Sequence, residues 1–167
     1  MDRLWAPWRT TYITKVIANQ HRACVFCRII NDKKDAKHFI FIRGKFVYAV
    51  LNIYPYSNGH CLIIPNRHVN DISKMTKEEL SEMMDLLLQT KSRLEKTIKP
   101  HGFNVGFNLG RDAGAGLPGH VHMHIVPRWK GDHNFMPITA KTKVISQSLD
   151  DIYKGLVKCA NAKTSKI

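Results

Sequence analysis

Three of the chain's nine histidines fall within five residues, in the run Gly119-His120-Val121-His122-Met123-His124-Ile125-Val126. Spacing of i, i+2, i+4 sets His120, His122 and His124 on one face of an extended strand and Val121, Met123 and Ile125 on the other; a helix would scatter them. A row of imidazoles backed by apolar residues has two chemical uses. Alternate strand residues can ligate zinc, and a catalytic zinc keeps a position open for water. Alternatively, one neutral imidazole attacks phosphorus while its neighbours hold phosphate oxygens and orient the ring. Histidines that merely decorate a solvated sheet face would explain one or two such residues, but poorly explain three in register. Charge favours the phosphorus reading. The 26 Lys and Arg against 13 Asp and Glu give +13, concentrated towards both ends. Such an excess attracts phosphate-bearing ligands without distinguishing a nucleotide from an RNA or an anionic membrane surface.

Other residues carry weaker signals. Cys24-Val25-Phe26-Cys27 supplies half a tetrahedral metal site, although a redox pair or two small buried residues have the same spacing, and no second CxxC follows. Gly114-Ala115-Gly116-Leu117-Pro118-Gly119 fits GxGxxG, but it contains Pro118 and opens the histidine strand, not a helix, so it is not a dinucleotide fingerprint. Its glycines, Gly114 and Gly116, suit close approach of backbone N–H groups to phosphate. Arg111, Arg128 and Lys130 are either contacts to a phosphate tail or solvated surface charges, and Arg128 has the better claim because it follows the histidine strand directly. Phe26 and Ile29 either stack on a base or pack in the core, which is the commoner fate of each singly.

These groups need elements to position them. At 167 residues and 44% hydrophobic, without repeats or a linker-like stretch, the chain reads as one domain over 1–167, with an N-terminal arm over 1–20 and a mobile basic tail over 159–167. Phe46–Leu51 and Cys61–Ile64 read as a hairpin around the Pro-, Asn- and Gly-bearing loop Tyr54–Gly59, with an edge strand over Phe39–Ile42. Phe103–Phe107 and Val121–Val126 read as two further strands. Thr76 and Glu79 have capping-box spacing, and Leu80, Met83, Met84, Leu87, Leu88, Leu94 and Ile98 recur at helical intervals up to Pro100. Leu149, Ile152, Tyr153 and Leu156 suit a short amphipathic helix. The expectation is an α+β fold, a sheet covered on one side. No apolar run reaches the ~18–20 residues of a membrane span, and four cysteines with one close pair suit a reducing compartment, so the protein is expected in the cytoplasm with no membrane partner.

The run His120 to Val126 matches HφHφHφφ, with φ apolar, the pattern of the histidine-triad (HIT) family. Most of the chain resembles the zinc-bearing bacterial and archaeal branch, related to dinucleoside polyphosphate hydrolases and phosphorylases: Leu4-Trp5-Ala6-Pro7-Trp8-Arg9, Cys24 to Cys27, Asn58-Gly59-His60, Asn108, and Pro127-Arg128-Trp129-Lys130-Gly131-Asp132 are its landmarks. The resemblance implies a HIT-like antiparallel sheet with one long helix, paired in a homodimer. It implies transfer of a nucleoside monophosphate, of adenosine type, through a covalent nucleotidyl-histidine. His122 would be the nucleophile, His124 would bind the α-phosphate, Asn52 would contact ribose and Asn108 would lie near phosphate. As a bare sequence feature Asn52 is equally a turn-initiating residue. A structural zinc on Cys24, Cys27, His68 and His120 is implied, with His60 as a rival ligand or a group supporting the triad; no organic cofactor is implied. Where other members carry Gln then Ser or Thr before the triad, this chain has Gly116 and Leu117. A Gly there resembles the phosphorylase-like branch, in which inorganic phosphate is the acceptor, while His124 leans away from it. The expected function is a hydrolase or transferase acting on dinucleoside polyphosphates or adenylated small molecules. The alternatives are a phosphorylase and a non-catalytic module binding nucleotide or RNA.

Overall fold

The computed structural model describes residues 24–132 and 145–161. Residues 1–20, with the Leu4 to Arg9 landmark, and residues 162–167 of the expected tail lie outside them. Five strands form one antiparallel sheet in the order β1-β2-β3-β5-β4: β1 Ile40–Arg43, β2 Val47–Leu51, β3 Cys61–Pro65, β4 Gly102–Phe107 and β5 Met123–Arg128. Helix α1 (Val25–Asp32) and a single turn α2 (Asp35–His38) precede the sheet. The long helix α3 (Lys77–Ile98) crosses from β3 to β4, and α4 (Leu149–Asn161) closes the described chain.

Helix α3 begins as its sequence dictates. The Thr76 hydroxyl accepts the Glu79 N–H at 3.2 Å and the Glu79 carboxylate accepts the Thr76 N–H at 2.8 Å, so two otherwise orphaned donors are satisfied. Arg67 donates to both Glu79 oxygens, from Nε at 3.0 Å and Nη2 at 2.9 Å, and this pairing foremost holds the buried carboxyl below its ordinary pKa. The helix stops at Lys99, in the left-handed region, one residue before Pro100. Its buried stripe of Met83, Leu86, Leu87 and Leu94 meets Val47, Ala49, Leu51, Cys61, Ile63, Met123 and Ile125 on one sheet face. Ile152 and Leu156 of α4 join the same core. This helix runs to Asn161, three residues into the segment expected as a tail.

The opposite face is not bare, as a sheet covered on one side would be. Phe26 and Ile29 of α1 pack on Ile40, Tyr48, Val50, Leu62 and Ile64. The reason lies in β2 and β3, which are buried at every position; a strand apolar at successive residues has both faces to cover. Helix α1 covers only part of that face, beside β5. There the alternation read from the sequence holds: Val121, Met123 and Ile125 lie in the main core, while the three histidines lie on the α1 side. Ladder pairing starts only at Met123, so His120 and His122 lie just before β5.

The β1–β2 turn is fastened by Glu82 of α3, whose carboxylate accepts the backbone N–H groups of Lys45 (2.8 Å), Phe46 and Val47 (3.0 Å). Gly44 allows this, because a Cβ there would lie 2.7 Å from both Glu82 Oε1 and the Val47 carbonyl oxygen. Replacing Glu82 with Ala leaves three donors without their acceptor and should cost about 2–3 kcal/mol. In urea unfolding, Glu95→Ala on the exposed face of the same helix should stay within about 0.5 kcal/mol of wild type. Equal midpoints for the two variants would contradict this role of Glu82.

Candidate active site

Each of the three histidines is fixed by a different partner. His122 Nδ1 lies 2.8 Å from the His120 carbonyl oxygen. A carbonyl only accepts, so Nδ1 carries the proton and the lone pair of the neutral ring is on Nε2. The Phe26 ring meets His122 edge-on at 5.1 Å between centroids, and His124 lies on its other side at 5.0 Å. Burial lowers the His122 pKa, opposed by the hydrogen bond to the His120 carbonyl, so the ring is neutral at pH 7. A neutral, oriented imidazole with Nε2 unprotonated is the form in which histidine acts as a nucleophile.

His124 is set by a chain of donors that begins in the β2–β3 loop. The Tyr56 N–H donates to His60 Nδ1 at 3.0 Å, and the Asn52 amide nitrogen lies 3.3 Å from the same atom. The proton of neutral His60 is therefore on Nε2, which donates to His124 Nδ1 at 2.9 Å. Neutral His124 thus carries its own proton on Nε2; the Asn108 Nδ2, itself a donor, lies 3.5 Å away and does not accept it. The result is an N–H directed as a hydrogen-bond donor, suited to an anionic oxygen. Burial first, and then His122, push the His124 pKa down to about 4. The Tyr56 ring stacks on His124, with centroids 5.6 Å apart and planes at 11°, and also packs on His60 at 4.6 Å.

His120 points to a second cluster. Its Nε2 donates to the Pro65 carbonyl at 2.9 Å, which leaves the lone pair on Nδ1, 3.3 Å from Cys24 Sγ and 3.6 Å from Cys27 Sγ. His68 Nδ1 lies 3.4 Å from Cys27 Sγ, and one ligand atom from each of the four residues lies within 4.8 Å of every other. Zinc with ordinary tetrahedral bonds separates sulfur and nitrogen ligands by about 3.6 Å. The donor set therefore fits a metal ion, and the carbonyl behind His120 orients its ring as such ligands require. Without a cation the thiols repel ionisation: burial and Cys24 push the Cys27 pKa up to about 11. His60, the rival ligand from sequence, lies against His124 instead.

The other expected site residues are less uniform. Asn52 Oδ1 accepts the Tyr54 N–H at 2.9 Å, a turn contact, while its nitrogen end faces His60. Gly114, at φ +90°, and Gly116 lie in the β4–β5 loop, where the Gly114 N–H donates back to Arg111 at 2.9 Å. Arg128 lies on the triad face but four residues from His124, about 13 Å along the strand. Its Nε and Nη2 hold Asp132 at 2.6 and 2.8 Å, and its Nη1 holds Asn104 at 2.7 Å. Arg111 and Lys130 are exposed. The stacking of Tyr56 escaped the sequence, where the residue served only as part of a turn; nothing in its spacing ties it to a histidine 68 positions later.

Known proteins share this architecture. The chain is 40% identical over 157 residues to an "AP-4-A phosphorylase" of Mycobacterium tuberculosis, covering 90% of this chain and 80% of that protein. It is 36% identical over 123 residues to an adenosine 5'-monophosphoramidase of Saccharomyces cerevisiae, covering 74% and 73% of the two chains. The crystal structure of a hypothetical histidine triad nucleotide-binding protein from Sulfolobus tokodaii superposes with a TM-score of 0.69 at 26% identity, over 86% of this chain and 96% of that one. Residues 33–131 match the HIT domain, and with the triad, the sheet and these relatives the chain belongs to the HIT domain family of nucleotide-processing proteins.

Proposed function

We propose that the protein transfers a nucleoside monophosphate from a dinucleoside polyphosphate or an adenylated small molecule through a covalent intermediate on His122. The observation that carries this reading is the 2.8 Å bond from His122 Nδ1 to the His120 carbonyl, which leaves Nε2 as the nucleophilic atom. Nε2 attacks the α-phosphorus, the bond from phosphorus to the leaving atom breaks, and that atom takes the electron pair, oxygen departing as the polyphosphate anion or nitrogen, with a proton from solvent, as ammonia. The His124 Nε2–H donates to a non-bridging α-phosphate oxygen as charge redistributes. An acceptor oxygen then attacks the same phosphorus and the N–P bond breaks, restoring the neutral imidazole. Water as acceptor gives the monophosphate; inorganic phosphate gives the nucleoside diphosphate. Two features favour phosphate: 40% identity to the mycobacterial "AP-4-A phosphorylase", and Gly116 with Leu117, which offer no side-chain hydroxyl or amide to a leaving group. Adenosine as the nucleoside agrees with the names of both enzymes above, and Asn52 is the proposed ribose contact.

With diadenosine tetraphosphate as substrate, wild type should form adenosine diphosphate at a rate that rises with added phosphate. His122→Ala should lose at least on the order of a thousandfold in turnover. Equal turnover by the variant would remove His122 from the mechanism, and a rate indifferent to phosphate would assign water as the acceptor.

Zinc on Cys24, Cys27, His68 and His120 is proposed as structural, because these four residues supply a full tetrahedral set and leave no position for water. When bound it neutralises two thiolates and ties α1 to the residue that precedes the nucleophile by two. Cys24→Ser should purify with less than one zinc per chain by elemental analysis and lose ~3 kcal/mol, on the order of 6–12 °C in melting temperature for a chain this long. A full zinc complement with unchanged melting would contradict the site.

We further propose a homodimer built on the outer edge of β4, which among the described residues has no neighbouring strand. Val105, Leu88 and Met84 are exposed there and on α3, and a groove of about 460 Å³ runs between the two elements. Among the described residues no helix is long and apolar enough to cross a membrane; free Cys24, Cys27, Cys61 and Cys159 support a cytoplasmic setting. Light scattering should give twice the chain mass for wild type and the single mass for the Leu88→Glu, Val105→Lys double variant; a monomeric wild type would end the dimer proposal.

A further inference from the structure

Beside His124 the sheet carries a glycine that its own fold does not require. In antiparallel pairing, residues directly opposite share a face, and Gly106 lies opposite His124, with Asn104 opposite Val126. The alternate residues Asn104, Gly106 and Asn108 therefore line the triad side of β4. Two contacts agree with this, Asn104 Oδ1 to Arg128 Nη1 at 2.7 Å and the Asn108 amide to His124 Nε2 at 3.5 Å. Among the described residues a Cβ on Gly106 would meet nothing within 4 Å, and its backbone is not among the left-handed glycines. Among the described residues of one chain neither packing nor conformation calls for glycine here, and glycine inside a strand is unfavourable relative to alanine. What the missing side chain provides is space on one flank of His124. The other flank is filled, by Leu62 opposite in β3 and by His60 and Tyr56.

We propose that Gly106 is a specificity-determining residue: the open lane above it, bordered by Asn104 and Asn108, receives the phosphate-bearing group beyond the α-phosphorus. This rests on the nucleotidyl-transfer reading above. Asn52, the ribose candidate, lies beyond β3 beside His60, so a nucleoside there directs its phosphate chain across His122 and His124 towards β4. Both displacements at the α-phosphorus run in line. The leaving oxygen of the first step and the acceptor oxygen of the second therefore occupy the same position, opposite His122 Nε2. One lane then serves the departing polyphosphate and the incoming phosphate, and the amides of Asn104 and Asn108 offer neutral donors along it. A substrate whose leaving group is ammonia makes no use of that space.

The test compares diadenosine tetraphosphate plus phosphate with adenosine 5'-phosphoramidate, using wild type, Gly106→Ala, Gly106→Val and Gly102→Val. Gly102 has equally open surroundings but pairs with Arg128 at the far end of the strand, so it controls for adding a β-branched residue to β4. The ratio of kcat/KM for the dinucleotide to that for the phosphoramidate should fall at least tenfold in Gly106→Val, by less in Gly106→Ala, and within twofold of wild type in Gly102→Val. A ratio unchanged in Gly106→Val, whether both activities persist or both fall together, overturns the lane, as does an equal fall in Gly102→Val. Wild type inactive on both substrates would instead overturn the nucleotidyl-transfer reading, and the lane with it.

Discussion

The hydrogen bond from His122 Nδ1 to the His120 carbonyl decides what this site does chemically. An imidazole has one lone pair when neutral, and fixing the proton on Nδ1 fixes the lone pair on Nε2. That carbonyl stays in place because His120 is itself held, by the Pro65 carbonyl on one ring nitrogen and the two cysteine sulfurs beside the other. The residues that hold His120 rest in turn on α1, whose Phe26 touches both His120 and His122 and whose backbone carbonyl accepts the Tyr48 hydroxyl at 3.1 Å. The tautomer of one ring thus depends on the metal-type cluster, the first helix and the second strand together.

A parallel dependence sets His124. Its tautomer follows from a backbone N–H in the β2–β3 loop, relayed through His60. Two adjacent imidazoles of the same sequence motif consequently have opposite characters, a lone pair at His122 and an N–H at His124. Burial keeps both neutral, so the two rings present oriented dipoles without charge. Among the described residues Arg128, the strongest cationic candidate by sequence, is engaged with Asp132 and Asn104.

Much of this was legible in the residues themselves. Period-two alternation sorted His120, His122 and His124 from Val121, Met123 and Ile125, and the Thr76 and Glu79 pair marked the start of the long helix, because both signals are local and follow backbone geometry. The metal cluster was legible only through family resemblance, since Cys24 and His120 are 96 positions apart and spacing carries no information over that distance. The packing of α1 on the second sheet face was not anticipated, although the unbroken apolar runs in β2 and β3 contain its cause. Gly106 carried no signal either: a glycine's meaning is the space around it, and that depends on strand pairing, not on sequence.

In the proposed reaction His122 Nε2 becomes bonded to the α-phosphorus. Protein labelled with ¹⁵N-histidine, mixed with diadenosine tetraphosphate and quenched in alkali, where phosphorus–histidine bonds survive, allows the bonded nitrogen to be read by ¹⁵N–³¹P coupling and the residue by peptide mass. A single adduct is expected, on Nε2 of His122. An adduct on Nδ1, an adduct on His120 or His124, or turnover with no adduct at any time would contradict it.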